Sequence, residues 1–215
     1  TGMPYVRLKI ASSLDGRTAM ASGESKWITG AEARQDVQYW RAISGAVITG
    51  IETVLADDCQ LNVRQLDGIE DIETVVQPKR IILDRQGRLP LTAKILAQAD
   101  TVLVMGPFRQ ELADLGVFQL PVQPLKQLLS QLAEQHQIYD VLVEAGATLS
   151  TAFLQEQLVD ELISYVAPTL LGQSARTMFN AEFSLMAEQL RFKLRDVTRL
   201  GDDVRFRLIP FQETL

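Results

Sequence analysis

The residues of this chain best suited to holding an anion lie around Gly146. In the stretch DVLVEAGATLSTAFL, residues 140–154, an apolar strand pattern ends at Glu144, small residues follow, and a helical pattern starts at Thr148. A helix amino terminus directs free backbone amides and the positive end of the helix dipole at whatever lies before it. The pattern therefore predicts a phosphate site, although a tight strand-to-helix turn without a ligand would need the same glycine.

A second candidate is the stretch LKIASSLDGRTAMASGESKWIT, residues 8–29. It starts as an apolar alternation that carries Lys9, continues with small polar residues, and closes with Trp27. Such a stretch is either a surface loop or backbone against which flat rings pack. Because Leu8 and Ile10 would point to the face opposite Lys9, the lysine could equally face solvent. Trp27 is either a packing aromatic or a wall for ring stacking.

The helix predicted after this loop carries two arginines. Thr29 and Glu32 have the spacing of a capping box, which predicts the start of the helix. A mostly apolar stripe follows at helical spacing, formed by Ala33, Val37, Trp40 and Ser44. Arg34 and Arg41 share a neighbouring face, where they are either solvated or reach an anion.

Composition excludes several classes of function. The 215 residues are 47% apolar and 22% charged, as in an ordinary globular protein. The net charge of −6 argues against nonspecific nucleic-acid binding, and no apolar run reaches the ~18 residues of a membrane helix. One cysteine, Cys59, and one histidine, His136, are too few for a zinc site of such ligands or an internal disulfide, so we expect no metal and a reducing compartment.

The usual nucleotide-binding fingerprints are absent from the sequence. Neither Gly-x-Gly-x-x-Gly nor a phosphate loop ending in Gly-Lys-Ser/Thr occurs. After the first predicted strand the chain reads Ser-Ser-Leu-Asp-Gly, residues 12–16, which is a turn signal rather than a helix start. A standard Rossmann domain is therefore not expected.

Strand and helix patterns alternate along most of the chain, which predicts an α/β fold with a mostly parallel sheet. Strands are predicted over residues 5–11, 45–49, 80–84, 101–105, 140–144 and 161–167. Helices are predicted over residues 30–44, 92–99, 107–115, 124–136 and 148–158. Two alternating strands around Gly201 predict a closing antiparallel hairpin. No linker or repeat divides residues 1–215, so we expect one domain.

Several separated stretches together resemble a known family. They are YVRLKIASSLDGRTA, GESKWITG, TVLADDCQLNVR, RIILD, LVEAGATLSTAFL and VDELISYVAPTLLG. In this order they are similar to the reductase domain of the bifunctional riboflavin-biosynthesis deaminase–reductase. The resemblance extends from about Pro4 to the closing hairpin.

This resemblance implies a dihydrofolate-reductase-like, three-layer α/β fold and a cytoplasmic homodimer that uses NADPH. The implied reaction reduces 5-amino-6-(5-phosphoribosylamino)uracil to its ribitylamino counterpart. The zinc-deaminase signatures His-x-Glu and Pro-Cys-x-x-Cys do not occur here, so we expect no deamination by this chain; a deaminase would be fused or separate. Residues 1–3 would be a cloning remnant or part of a linker to such a domain.

The resemblance also implies roles for individual residues. The implied NADPH contacts are Ala11, Trp27, Thr53, Asp57, Gly146, Ala147, Thr148, Leu149, Ser150, Thr151 and Ala152. The implied substrate contacts are Lys9, Ser25, Arg41, Leu61, Arg64 and Glu144. Lys9 and Glu144 are the implied catalytic residues, but the sequence does not identify the general acid, for which Asp57 is also a candidate.

Two positions depart from the family pattern. Cys59 stands where the family commonly has proline, and Asn62 where it has threonine. The loss of proline frees the backbone of this turn. Two other functions stay open: reduction of another pterin-like or pyrimidine-like compound, and a non-catalytic nucleotide-binding module of the same fold.

Overall fold

The computed structural model describes residues 2–211, whose contacts form two compact units. The first unit contains residues 2–5 and Gln35–Ala145, and the second contains Val6–Arg34 and residues 146–211. The expectation of one domain stays a prediction. Among the described residues, no helix has the length and apolar character needed to cross a membrane.

Strands and helices alternate through both units, as the sequence predicts. The strands are β1 (Tyr5–Ser13), β2 (Arg17–Ala19), β3 (Ala46–Gly50), β4 (Lys79–Leu83), β5 (Val102–Met105), β6 (Phe118–Leu120), β7 (Asp140–Glu144), β8 (Glu161–Ala167), β9 (Arg176–Thr177), β10 (Phe192–Leu200) and β11 (Asp203–Pro210). The α-helices are α1 (Ala31–Ala42), α2 (Ile51–Asp57), α3 (Gln110–Asp114), α4 (Leu125–His136) and α5 (Ala147–Gln155).

The first unit contains a parallel sheet in the order β7-β3-β4-β5-β6. Its central strands read as continuous apolar runs because both faces are buried; Val47, Ile48, Ile81 and Ile82 have no exposed surface. Parallel strands place all their carboxyl ends at one edge, which is where ligands bind in open α/β sheets.

The second unit contains a mixed sheet in the order β10-β11-β8-β1. Strands β1 and β8 are parallel, whereas β11 pairs with β8 and with β10 in antiparallel fashion. The predicted α/β fold, with its mostly parallel sheet and its closing hairpin, is confirmed. On β1 the alternation is also as expected, because Leu8 and Ile10 are buried on one face while Lys9 is half-buried on the other.

The predicted helix over residues 92–99 forms only a 3-10 helix, Lys94–Thr101, with non-helical backbone at Gln98. The cause is the buried side chain of Arg80, whose guanidinium donates to the Gln98 carbonyl at 2.7 Å and to the Thr101 hydroxyl. This tertiary contact, which local spacing does not show, outweighs the helical pattern.

Helix α1 starts at Ala31, one residue later than a cap at Thr29 would place it. The amide of Gly30 instead donates to the Asp203 carboxylate at 2.6 Å, while the Thr29 carbonyl accepts from Arg34 at 2.6 Å. The capping group is therefore supplied by β11, which is remote in sequence from the helix.

Candidate active site

A buried ion pair lies at the end of β7 in the first unit. Arg41, in the last turn of α1, donates from Nε to Glu144 Oε1 at 2.6 Å and from Nη2 to Oε2 at 3.0 Å. Each residue is only 8% exposed. Burial opposes the charge of Arg41, yet the charge and hydrogen bonds of Glu144 hold the pKa of this guanidinium above its ordinary value. Arg41 is therefore charged, and the bidentate contact fixes the geometry of both groups.

The turn that follows α2 is tied to this pair. Arg41 Nη1 donates to the Asn62 carbonyl at 3.1 Å, and the Arg64 amide donates to Gln38 Oε1 at 3.0 Å. Leu61, a predicted substrate contact, is 4% exposed and has a φ of 53°, in the left-handed region. The turn is held in a defined shape although it lacks the proline of the family pattern.

Arg64 presents its guanidinium at the exposed side of this cluster. Among residues 2–211, no ion pair or hydrogen bond of that guanidinium occurs. Burial and the neighbouring charge of Arg41 lower the pKa of Arg64. A cation in such a place is suited to bind an anionic group, because the anion would offset both effects.

Cys59 and the acidic pair before it differ in their surroundings. Burial, with the negative charges of Glu144 and Asp57, raises the pKa of the Cys59 thiol to about 12, so the thiol stays neutral. Asp58 binds Lys94 through an ion pair at 3.1 Å. Asp57 and Thr53 are four residues apart in α2 and so share one helix face. Of the two acids, Asp57 is thus the one that shares a face with another predicted cofactor contact.

A cavity of about 430 Å³ opens beyond the carboxyl ends of β5 and β6. Its lining is Arg85, Gly106, Pro107, Phe108, Gln119, Leu120, Pro121 and Val122. Gly106 is required there, because a Cβ at this position would lie 2.3 Å from the Asp84 carbonyl oxygen. The sequence reasoning missed this cavity, although an arginine directly after the strand RIILD was a signal for it.

In the second unit, the predicted phosphate-binding turn has the expected form. Gly146 is the N-cap residue of α5 and is exposed; a Cβ on it would meet no atom within 4 Å. The first amides of α5 have no acceptor within the helix. The start of the segment Gly146 to Ala152 therefore combines open space at Gly146 with amides that the helix itself leaves without an acceptor, and it fits a phosphate group.

The remaining predicted residues of the second unit lie on β1 and in the loop before α1. Lys9 Nζ lies 5.7 Å from the ring centroid of the buried Tyr165, and Ala11 is paired with Tyr165 in the β1–β8 register. Trp27 is 68% exposed, with the Arg34 guanidinium 4.5 Å from its ring centroid. Trp27 is thus not a core residue, and Arg34 is used to support it.

Ser25 is half-buried in the same loop.

In the first unit, the structure brings together four predicted site residues, which are Arg41, Glu144, Leu61 and Arg64. In the second unit, the predicted turn at the start of α5 is formed. The roles of all these residues stay predictions.

Comparison with known proteins places these features in context. A family model described as RibD C-terminal domain matches residues 4–206. The riboflavin biosynthesis protein RibD of Haemophilus influenzae is 41% identical over 97% of this chain and 59% of its own length; that of Escherichia coli is 40% identical, over 97% and 60%.

Solved structures of a RibD protein and of a deaminase/reductase are also similar to this chain. One form of Acinetobacter baumannii RibD is 78% identical, with a TM-score of 0.96 over 99% of this chain and 59% of that protein. A Thermotoga maritima deaminase/reductase is 28% identical, with a TM-score of 0.82, over 97% and 57%. The chain thus spans about three fifths of the length of these relatives.

Proposed function

We propose, from the premise that this chain belongs to the RibD C-terminal domain family, that it is an NADPH-dependent reductase of riboflavin biosynthesis. Its substrate would be 5-amino-6-(5-phosphoribosylamino)uracil and its product the ribitylamino compound. The observation that carries the proposal is the α5 turn, where the helix begins at an exposed Gly146 with open space beside its Cα, and where the first amides have no acceptor within the helix. The proposal extends to a cytoplasmic homodimer whose substrate comes from a fused or separate deaminase.

The α5 turn would hold the diphosphate of the cofactor, and Trp27 would stack against its nicotinamide ring. When bound, NADPH would supply the hydride for C1 of the ring-opened substrate, whose nitrogen keeps its own proton when the C1–O bond opens and so would become a secondary amine. The chain would supply the alignment of these groups and exclude water from them.

Glu144 and Lys9 would have different roles in this reaction. Both carboxylate oxygens of Glu144 accept from Arg41, which suits an acceptor for substrate hydroxyl groups rather than a proton donor. Lys9, whose ammonium lies over the Tyr165 ring, would be the donor that assists opening of the sugar. Arg41 would fix Glu144, and its two remaining N–H groups would be available to the substrate.

Arg64 would bind the substrate phosphate, since its guanidinium is the exposed cation of the cluster. Replacement of Arg64 by alanine removes charge-assisted hydrogen bonds, so we expect the substrate KM to rise about tenfold to a hundredfold. The KM for NADPH should change less than about twofold. Arg199→Ala, at an exposed arginine of the hairpin, is the control. Equal increases in both KM values would contradict the assignment.

The direct test is to supply the deaminated ribosylamino substrate and follow the loss of NADPH absorbance. Turnover supports the proposal, whereas folded protein that consumes no NADPH refutes it. Turnover only with another pyrimidine-like or pterin-like compound would favour a reductase whose substrate is that compound. Binding of NADPH without any turnover would favour a non-catalytic module.

A further inference from the structure

Asn180 contacts the first two turns of α5 through two hydrogen bonds. Its backbone amide donates to Thr151 Oγ1 at 2.8 Å, and its side-chain Nδ2 donates to Thr148 Oγ1 at 3.0 Å. Thr151 is buried, whereas Thr148 and Asn180 are exposed. The resemblance assigns the two threonines to the cofactor-binding turn but gives no role to Asn180.

The direction of the Thr148 hydrogen bond determines what its hydroxyl group can do. A hydroxyl has one hydrogen to donate, and Asn180 occupies a lone pair of Thr148 Oγ1 without using that hydrogen. Interior helical threonines often donate to a carbonyl three or four residues earlier. For Thr148 those residues are Glu144 and Ala145, which precede the first turn of α5. Its hydrogen is therefore available to a ligand at the helix amino terminus.

We infer that Asn180 is a positioning residue, which holds the Thr148 hydroxyl as a donor to the diphosphate of the dinucleotide. This inference rests on the proposed function, because it places the cofactor diphosphate at Gly146. It names a residue that acts on the cofactor only through Thr148. The affinity for the nucleotide, rather than the hydride-transfer step, should therefore depend on Asn180.

The segment that carries Asn180 is anchored on its other side. Strand β9 pairs with β2, and the Met178 amide donates to the Gly16 carbonyl at 3.1 Å. The Thr177 hydroxyl donates to the Phe179 carbonyl at 3.0 Å. Since this anchoring already restricts the segment, Asn180 can orient Thr148 with little further loss of conformational freedom on binding.

The test compares NADPH dissociation constants, measured by nucleotide fluorescence, for single and double variants. Asn180→Ala and Thr148→Val should each raise the constant about fivefold. The NADPH dissociation constant of the double variant should lie within about twofold of that of Thr148→Val, because both changes remove the same donor. Asn180→Asp should bind more weakly than Asn180→Ala, since its carboxylate accepts the Thr148 hydrogen and repels phosphate. Thr148→Ser, which keeps the hydroxyl, should bind like wild type.

Two controls separate positioning from folding. Gln173→Ala, at an exposed residue of the same connecting segment, should leave NADPH binding unchanged, and the thermal midpoints of all variants should agree within a few degrees. In steady state, Asn180→Ala should raise the KM for NADPH and leave kcat and the KM for the ribosylamino substrate within about twofold. A loss of kcat at unchanged NADPH affinity would overturn the inference.

Other outcomes decide the inference as clearly. The inference is overturned if the increases in the NADPH dissociation constant caused by the two single changes multiply in the double variant. It is also overturned if Asn180→Ala leaves the NADPH dissociation constant unchanged. Wild-type protein that binds NADPH without reducing the substrate would refute the proposed reaction, and the same dissociation constants would still decide the role of Asn180. Wild-type protein that binds no NADPH would overturn both.

Discussion

Removing one member of the buried Arg41–Glu144 pair should destabilise the protein more than removing both members. Each residue is 8% exposed, and the two hydrogen bonds, at 2.6 and 3.0 Å, form a bidentate contact. Arg41→Met removes the cation that binds the buried Glu144 carboxylate, and Glu144→Gln removes the charge that offsets the buried Arg41 guanidinium. The loss of one member of a buried pair costs about 3–5 kcal/mol.

Independent effects would therefore sum to at least about 6 kcal/mol in the double variant Arg41→Met/Glu144→Gln. The double variant, however, contains neither charge, so we expect it to lose about 3 kcal/mol or less. For a chain of this size, ~3 kcal/mol lowers the thermal midpoint by about 6–12 °C. The double variant should thus melt no lower than either single variant.

The assay is thermal unfolding followed by circular dichroism, with denaturant unfolding to give free energies. Lys94→Met is the control, because the Lys94–Asp58 pair at 3.1 Å is about half exposed and should contribute less than ~1 kcal/mol. Additive losses in the double variant would refute the reasoning. So would a loss below ~1 kcal/mol in both single variants.

Three further changes test other parts of the structure. Cys59 should react slowly with iodoacetamide, because a pKa of about 12 against an ordinary 9.0 lowers the thiolate fraction at pH 8 about a thousandfold. Equal reaction rates in folded and urea-unfolded protein would contradict this. Because the unfolded state loses the thiol proton first, stability should fall between pH 9 and 12, and Cys59→Ala should reduce that fall. Glu161→Gln should lower the thermal midpoint by about 6–12 °C, because it removes the charge of a fully buried carboxylate to which Arg207 donates at 2.6 Å. Asp202→Asn, in an exposed pair, should leave the thermal midpoint unchanged. Arg85→Ala, at an exposed side chain of the cavity beyond β5 and β6, should leave the thermal midpoint unchanged within a few degrees, and a larger fall would show that the arginine stabilises the fold.

The sequence predicted the sheet well because its strands carry their own signal. All six strands predicted from apolar runs are present within two residues of the expected ends, including β7 and β8 at their predicted bounds. Residues 118–120 were missed because β6 is short, lies at the edge of its sheet, and begins with an exposed phenylalanine. Short edge strands have little apolar periodicity to detect.

The site was predictable only where its signal is local. The turn at Gly146 could be read from a strand, a glycine and a helix start in consecutive residues. The partner of Arg41 could not be read this way, because Glu144 lies 103 residues later and the pairing depends on tertiary packing. The same reason hides Asn180, whose side chain contacts α5 from a segment with no helical or strand periodicity.

The charges around Cys59 show why the departure from proline is compatible with anion binding. If this thiol ionised, its negative charge would add to those of Glu144 and Asp57, which act on it, and the field at Arg64 would become less favourable to an incoming phosphate. At the ordinary pKa of 9.0 the thiol is already mostly protonated at neutral pH, and burial raises the pKa of Cys59 to about 12, so that charge does not form in mildly alkaline solution either. Arg41 is already paired with Glu144, whereas the Arg64 guanidinium makes no ion pair with any of the residues from 2 to 211. A phosphate bound there would relieve the repulsion between the two arginines, so the arrangement favours a substrate that carries its own negative charge.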